Sequence, residues 1–494
     1  SNDKIIYLSD NNTKEIINHK NLNSTKKIMN LYNSGIIKKK NKLIFWIDRL
    51  GLNKLYYYND KNKIIITDNL KYFKNFKICD LNLKMFLMSG YCIDNYTIYN
   101  NVFTLKAGEY IELNLNTKII RKKNYFKFKK NIKKKKINFN KYYKKFDLIL
   151  NNEFKKIIEK NKDRIIYVPL SGGLDSRLVL CKLLENNCKN LITFSYGTKG
   201  NFESIKSKKI SQKLGVKWIF LNTKKIKSEF FSQKRRKYSQ IGFGKFLTPM
   251  REYFAIKQLK IKNRSKNITI INGQTGDFLS GGQLPPPFFK NKINLNLFIN
   301  EIINKHISYW KDDAYKHQIK LILKKKYNFL KNASKEKKIS EFEKWNFYNR
   351  QANIVITDVI LYDYFKFDWE LPLWCENVVN FFNRLPINER LGKKFYLEYL
   401  KMYNYKNSFL TTSVGSSWTI YTFWVKYLAN FLGIFDKRLK VFLYNFMKYF
   451  GHYKYLYSWI DFKFYLKNFN KIKNQEAFLT QQIIKENKNF LKYE

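Results

Sequence analysis

The chain has 494 residues, of which 45% are hydrophobic, and carries 95 Lys and Arg against 38 Asp and Glu, a formal net charge of +57. The length exceeds one ordinary domain, and the apolar fraction can build large cores. Its five scattered cysteines (Cys79, Cys92, Cys181, Cys188 and Cys375) exclude a disulfide framework and a zinc knuckle, and the lack of any run of about 18 uncharged apolar residues excludes a spanning helix.

A positive field of this size attracts polyanions such as nucleic acid, acidic polysaccharide or an anionic membrane face. Lys, Asn, Ile, Phe and Tyr dominate even in loops, so a compositional bias accounts for the charge equally well. The polar N-terminus shows no signal peptide, and the expected location is the cytoplasm, with the inner membrane face as an alternative.

Residues 1–126 read as a β-rich unit. Leu43–Ile47 and Leu55–Tyr58 flank a turn with Gly51 and Asn53, Lys63–Thr67 follows, and Tyr110–Leu113 comes after Gly108. Residues 127–163 read as linker and helix. The Lys-rich stretch 127–140 is expected as an exposed loop, and Tyr142–Lys160 as a helix with Phe146, Leu148, Ile149 and Phe154 at helical spacing. From residue 164 to about 400 strand and helix alternate. Arg164–Leu170, Leu191–Phe194, Val216–Phe220 and Ile268–Ile271 are predicted strands, and Ser176–Leu184 and Ser204–Leu214 predicted helices. Such alternation implies an α/β fold with a doubly wound parallel sheet, whose ligands sit beyond the carboxyl ends of its strands. After Phe288 the pattern is largely helical. Residues 401–494 read as a basic, aromatic helical segment, either core with a solvated basic face or a membrane-surface contact.

The sharpest chemical signal is Ser171-Gly172-Gly173-Leu174-Asp175-Ser176, which follows the buried strand ending at Leu170. Two glycines allow backbone N–H groups to approach phosphate oxygens, and the following helix turns its positive end toward the anion. Ser171 and Ser176 add hydroxyls, and Asp175 offers oxygen to Mg²⁺. The hexapeptide resembles the pyrophosphate loop of the ATP-pyrophosphatase superfamily, which splits ATP between its α- and β-phosphates. Asn272-Gly273-Gln274-Thr275-Gly276-Asp277-Phe278-Leu279-Ser280-Gly281-Gly282 resembles the S-G-E-G-A-D-E-L-F-G-G segment of class-B asparagine synthetases. The resemblance implies ATP and Mg²⁺ as cofactors. It places Leu170–Ser176, Tyr196, Gly197, Asn272 and Gly273 at the nucleotide, and Asp175 with Asp277 at the metal. Glu203 matches the acidic residue after the adenine-contacting strand, or simply satisfies a helix dipole. Upstream, the Ile47–Tyr57 stretch looks like one late in the family's glutaminase domain, which makes 1–126 a truncated, Ntn-hydrolase-like unit by resemblance.

The chain departs from that pattern in several places. It begins Ser1-Asn2-Asp3 without a catalytic cysteine, so a vestigial glutaminase unit is expected, with ammonia or an amine coming from elsewhere. Gln274 stands where the family has an acid. Asp368-Trp369-Glu370 resembles the family's E-x-R block, with Asp368 a candidate general base or a structural carboxylate. Arg390 and Lys393 resemble a downstream L-P…K stretch. The loop expected to supply a lysine to the α-phosphate reads Thr411-Thr412-Ser413-Val414-Gly415, so Lys394 or Lys406 is the expected substitute. Gln274, Asp368 and Lys394 are thus the catalytic candidates. The implied reaction is amide formation through an acyl-adenylate, on aspartate or another acid such as a glycan uronic acid. A tRNA-modifying enzyme and a degenerate scaffold are the alternatives, and a homodimer is the candidate assembly.

Overall fold

A computed structural model describes residues 4–8, 34–60, 63–197, 199–223, 230–263, 267–290, 292–409, 427–449 except 429 and 435, 460, 462–473 and 476–491. The expectations for Ser1–Asp3 and for Thr411–Gly415 fall outside these residues.

The N-terminal unit is two four-stranded sheets. One contains β1 (Lys4–Leu8), β4 (Tyr56–Asn59), β5 (Lys63–Thr67) and β6 (Val102–Thr104), in the order β1-β5-β4-β6. The other contains β2 (Gly35–Lys39), β3 (Lys42–Trp46), β7 (Glu109–Asn114) and β8 (Ile120–Asn124), in the order β2-β3-β7-β8. Alternation explains how they stack. Ile64 and Ile66 of β5 share a buried cluster with Phe45 of β3 and Ile111 and Leu113 of β7. A helix, α1 (Asp80–Ser89), lies between β5 and β6 in sequence.

The stretch after this unit differs from the expected exposed loop. Phe128 is buried and stacks on Phe347, with centroids 4.3 Å apart and planes at 11°, and on Phe278 at 5.6 Å. Lys130 is buried too, and its Nζ donates to the Leu279 carbonyl at 2.7 Å. A lysine-rich string disguises one aromatic anchor and one lysine whose carbon stem is useful in a core. The helix that follows, α2 (Phe139–Lys160), starts three residues earlier than its hydrophobic spacing suggests, because the Asn138 side chain caps it through the Lys141 N–H.

The second unit is a five-stranded, all-parallel sheet in the order β11-β10-β9-β12-β13. Its strands are β9 (Ile165–Pro169), β10 (Leu191–Gly197), β11 (Lys217–Asn222), β12 (Ile268–Ile271) and β13 (Asp368–Glu370). Helices α3 (Leu174–Glu185) and α4 (Phe202–Leu214) link the first three strands, and α5 (Gln233–Ser239) and α6 (Tyr253–Lys262) precede β12. The chain winds outward from β9 to β11 and then returns to the other side of β9 as β12. That reversal opens a crevice between β9 and β12 beyond their carboxyl ends.

Helices α7 (Leu295–His306), α8 (Asp313–Lys326) and α9 (Lys335–Asn346) then form a separate hydrophobic cluster with Met85, Met88 and Tyr91. After β13 come α10 (Glu376–Arg384), α11 (Lys394–Tyr403) and α12 (Lys437–Lys448). A last helix, α13 (Glu476–Glu486), returns to pack against α1 and α5. No helix among the described residues is long and apolar enough to cross a membrane.

Buried Lys54 and Lys245 join the two units, and buried Lys130 fastens the connecting segment to the second. Lys54 Nζ donates to the Ala352 carbonyl at 2.9 Å, Lys130 to Leu279, and Lys245 to the carbonyls of Cys92, Asp94 and Tyr96 at 2.8, 2.9 and 3.0 Å. Burial pushes Lys54 and Lys130 down to about 7 and Lys245 down to about 8. An unfolded lysine titrates near 10.4, so between about 7 and 10 the unfolded chain holds a proton that native Lys130 has released. The unfolding free energy therefore rises with pH through that window. Denaturant titrations of wild type and Lys130→Met should show a gap that widens in favour of wild type from pH 7 to pH 10. A gap independent of pH contradicts the neutral buried amine.

Candidate active site

Neighbouring strands β9 and β12, paired from Ile165↔Ile268, release their following loops side by side. Leu170 continues the ladder, its N–H donating to the Phe194 carbonyl at 2.8 Å, and is buried. The chain then turns. Ser171 Oγ accepts the Gly173 N–H at 3.1 Å and lies 3.2 Å from Ser176 Oγ, while Ser176 Oγ accepts the Ser171 N–H at 3.3 Å. Arg177 fastens the turn from below by donating to the Gly172 carbonyl at 3.0 Å and the Ser408 carbonyl at 2.8 Å. Gly173 is the extended N-cap of α3, so the open N–H groups of that helix face the turn. Lys206 of α4 lies against Gly172.

The second loop interlocks with the first. A Cβ on Gly273 would stand 2.7 Å from the Ser176 N and 2.8 Å from the Asp175 carbonyl carbon, so only glycine allows this approach. Asp175 Oδ2 accepts the Asp277 N–H at 2.8 Å, and Asp175 Oδ1 accepts the Tyr396 hydroxyl at 2.9 Å. The two aspartates, 102 residues apart in sequence, therefore share one spot. Burial pushes Asp175 up to about 6, and the charge of Asp277 pushes the same way. Lys393 Nζ contacts Asp277 Oδ1 at 2.8 Å.

Beyond Asp277 the charge turns positive. Lys305 feels both Asp277 and Arg350, and burial with Arg350 lowers it to about 8. Arg350 donates to Gln283 Oε1 at 3.0 Å, as does the Gln351 amide, and Gln351 Oε1 accepts the Thr275 hydroxyl at 3.1 Å. On the other side lies a polar cluster. Asn272 Nδ2 donates to the Tyr362 hydroxyl at 2.9 Å, and Tyr362 to Glu252 Oε2 at 2.9 Å. The Tyr196 hydroxyl reaches Glu252 Oε1 at 3.4 Å, and Gln274 Nε2 donates to Asp358 Oδ2 at 2.8 Å. Burial, then the charge of Glu252, pushes Asp358 up to about 8.

The structure thus brings together Ser171–Ser176, Tyr196, Asn272, Gly273, Gln274 and Asp277. Gly197 ends β10 at φ 124°, with the Tyr196 carbonyl accepting from Asn201 at 3.0 Å. Other candidates lie apart. Asp368 opens the edge strand β13, is exposed, and is ion-paired with Arg164, which precedes β9, whereas the glycine turn follows it. That pairing ties the carboxylate to the wrong end of the strand for chemistry at the turn. Lys394 points to Glu389 at 3.2 Å, and it is its neighbour Lys393 that meets Asp277. Glu203 is exposed at the start of α4. Sequence reading gave no role to Lys393 or Tyr362, and missed Tyr396, Glu252 and Asp358. Only the lysine had a local signal, the two-lysine run after Gly392.

No protein-family model matches the chain. It is 28% identical over 272 residues to the "Putative asparagine synthetase (glutamine-hydrolyzing) 2" of Methanocaldococcus jannaschii, a match covering 50% of this chain and 48% of that protein. The chain therefore spans about half the length of this relative. Similar solved structures include an NH3-dependent NAD synthetase from Campylobacter jejuni, 14% identical, covering 42% of this chain and 93% of that one at TM-score 0.24. An NMN synthetase from Francisella tularensis is 12% identical, covering 52% and 97% at TM-score 0.21. At such scores the likeness has no bearing on chemistry.

Replacing Gly273 by Ala should drive the two loops apart. Chemical denaturation should show a loss of about 1–3 kcal/mol, and ATP should no longer protect against unfolding. Gly172→Ala is the contrast, since its Cβ meets only the movable end of Lys206 at 2.7 Å and should cost less. Equal costs contradict the interlock.

Proposed function

We propose that this chain is an ATP-dependent ligase that cleaves ATP between the α- and β-phosphates, joins AMP to a carboxylate, and passes the activated acyl group to ammonia or an amine. The observation that carries this reading is the convergence of Asp175 and Asp277 at the lip of the turn formed by residues 171–176. The partial likeness to an asparagine synthetase points the same way.

Each part of the turn has a task. The N–H groups at the start of α3, with the hydroxyls of Ser171 and Ser176, suit the leaving pyrophosphate. Lys206 on one side and Lys393, Lys305 and Arg350 on the other add positive charge where oxygen charge develops. Tyr196 at the end of β10 is placed for the adenosine half, and Asn272 and Gly273 wall the crevice between the two loops.

The residues present also fit a hard divalent cation. The Asp175 carboxylate accepts the Asp277 N–H and feels the Asp277 charge, and burial above all holds Asp175 above its ordinary range. Asp175 and Asp277 would hold Mg²⁺, and Lys393 Nζ marks where positive charge is already welcome. When bound, such an ion supplies charge neutralisation on phosphate oxygens. Tyr396 keeps the Asp175 carboxylate oriented.

A uronic acid acceptor has no supporting contact in the site and forms no part of the proposal.

Purified chain given Mg-ATP, ammonia and a panel of carboxylates should release AMP and pyrophosphate with at least one acid. Asp175→Asn and Asp277→Asn should each lower that rate by about 10²-fold or more. ADP as product, or no turnover with any acid, contradicts the proposal.

A further inference from the structure

The basic, aromatic segment after residue 401 divides into two parts. From residue 462 onward it contributes to the core, with Tyr465, Ala477, Phe478, Leu479 and Ile483 buried. Residues 427–442 do the opposite. Tyr427 is 67% exposed and Ile434 78%, and Leu428, Phe431, Leu439 and Phe442 are exposed as well. Large apolar side chains exposed singly need no explanation, but a cluster of this size does.

The local fold shows how the cluster arises. Residues 427–434, apart from 429, are helical, and Tyr427, Leu428, Phe431 and Ile434 have the spacing of one helix face. α12 follows. A Cβ on Gly433 would stand 2.9 Å from Lys440 Cβ, and it would meet the Lys440 stem. A continuous helix would separate positions seven residues apart by about 10 Å. The chain therefore folds back near Asp436, whose carbonyl accepts the Lys440 N–H at 3.3 Å, and glycine at residue 433 permits the close crossing. Leu439, Phe442, Phe446 and Tyr449 share one face of α12 and its continuation. The far end of that face is covered, since Phe446 and Tyr449 meet Phe462 at 5.9 and 4.8 Å and the Tyr449 hydroxyl donates to the Ile460 carbonyl at 2.8 Å. The near end, Leu439 and Phe442, stands exposed. The hairpin is rooted in protein at one end and bare toward its bend.

Charge narrows what could cover it. Between residues 426 and 448 the sequence has Lys426, Lys437, Arg438, Lys440 and Lys448 against a single acid, Asp436. The Lys440 stem lies across Gly433, the way a lysine lines apolar surface with its carbon chain. A second copy seated on this face about a two-fold axis would set the same cations against one another, which disfavours self-association. An anionic bilayer complements both features, with negative headgroups over an apolar layer. α8 also exposes Leu321, Ile322 and Phe329, but there Lys316 pairs with Asp313 and Lys326 with Asp94.

We propose that the hairpin around Gly433 is a docking surface for an anionic lipid bilayer. Tyr427, Ile434 and Phe442 enter the headgroup layer, and the positive charge of the segment meets the lipid phosphates. The contact is peripheral and is independent of the nucleotide reading.

A chain of net charge +57 adheres to anionic vesicles through charge alone, so the test must isolate the apolar contribution. The full chain is floated with phosphatidylcholine vesicles containing, or lacking, about one quarter phosphatidylglycerol. Wild type should float with the anionic vesicles and keep part of its binding in about 0.5 M NaCl, where charge is screened. The uncharged double variant Tyr427→Ser/Ile434→Ser should bind about 10-fold or more weakly. Leu321→Ser/Phe329→Ser on α8 should bind as wild type does. Hydrogen exchange of wild type with the same vesicles needs no variant to fold, and should show slowed exchange in peptides covering residues 427–442.

No flotation of wild type overturns the proposal. Equal flotation of wild type and Tyr427→Ser/Ile434→Ser does so too, because charge alone then accounts for binding. Exchange protection confined to other segments places the contact elsewhere and has the same effect. A dimer seen by light scattering that Tyr427→Ser/Ile434→Ser loses assigns the face to a second copy and also overturns the bilayer.

Discussion

The hydrogen bond from the Asp277 amide to the Asp175 carboxylate joins two loops whose strands are neighbours in the parallel sheet. Everything proposed for this chain depends on that junction. Because β12 returns on the far side of β9, the loops that leave their carboxyl ends must share a crevice, and the missing side chain at Gly273 lets them meet backbone to backbone. The geometry gathers negative charge at one point and surrounds it with Lys206, Lys305, Arg350 and Lys393. Such a layout suits a polyanion that brings a cation with it.

The second feature is how the site is braced. Arg177 ties the turn to Ser408, Tyr396 reaches in from α11, and Phe128 and Lys130 pin the connecting segment under the second loop through Phe278 and Leu279. The groups at the turn are therefore held by elements from four parts of the chain. This rigidity is what pre-organised stabilisation of developing charge requires.

Much of this was legible from sequence because it is local. The strand–turn–helix around residues 171–176 and the glycine-rich loop at 272–282 carry their conformational demands in adjacent residues. The alternation of strands from residue 165 to 271 set the sheet, and Asp175 and Asp277 were placed together by analogy before geometry did so. What escaped is non-local. Tyr396, Glu252 and Asp358 arrive on helices whose own patterns say nothing about a shared cleft. Asp368 misled because its block resembles a family segment, while in space its short edge strand pairs the carboxylate with Arg164. The lysine run around residue 130 read as solvated charge, since a buried lysine bonded to a carbonyl looks the same in sequence as an exposed one.

The most direct test of the central claim is electron paramagnetic resonance of Mn²⁺ with α,β-methylene-ATP and the full chain. The account predicts one nucleotide-dependent Mn²⁺ site with ³¹P hyperfine coupling, abolished in the double variant Asp175→Asn/Asp277→Asn. Retention of that coupled signal in the double variant, with the nucleotide bound as before, would contradict it.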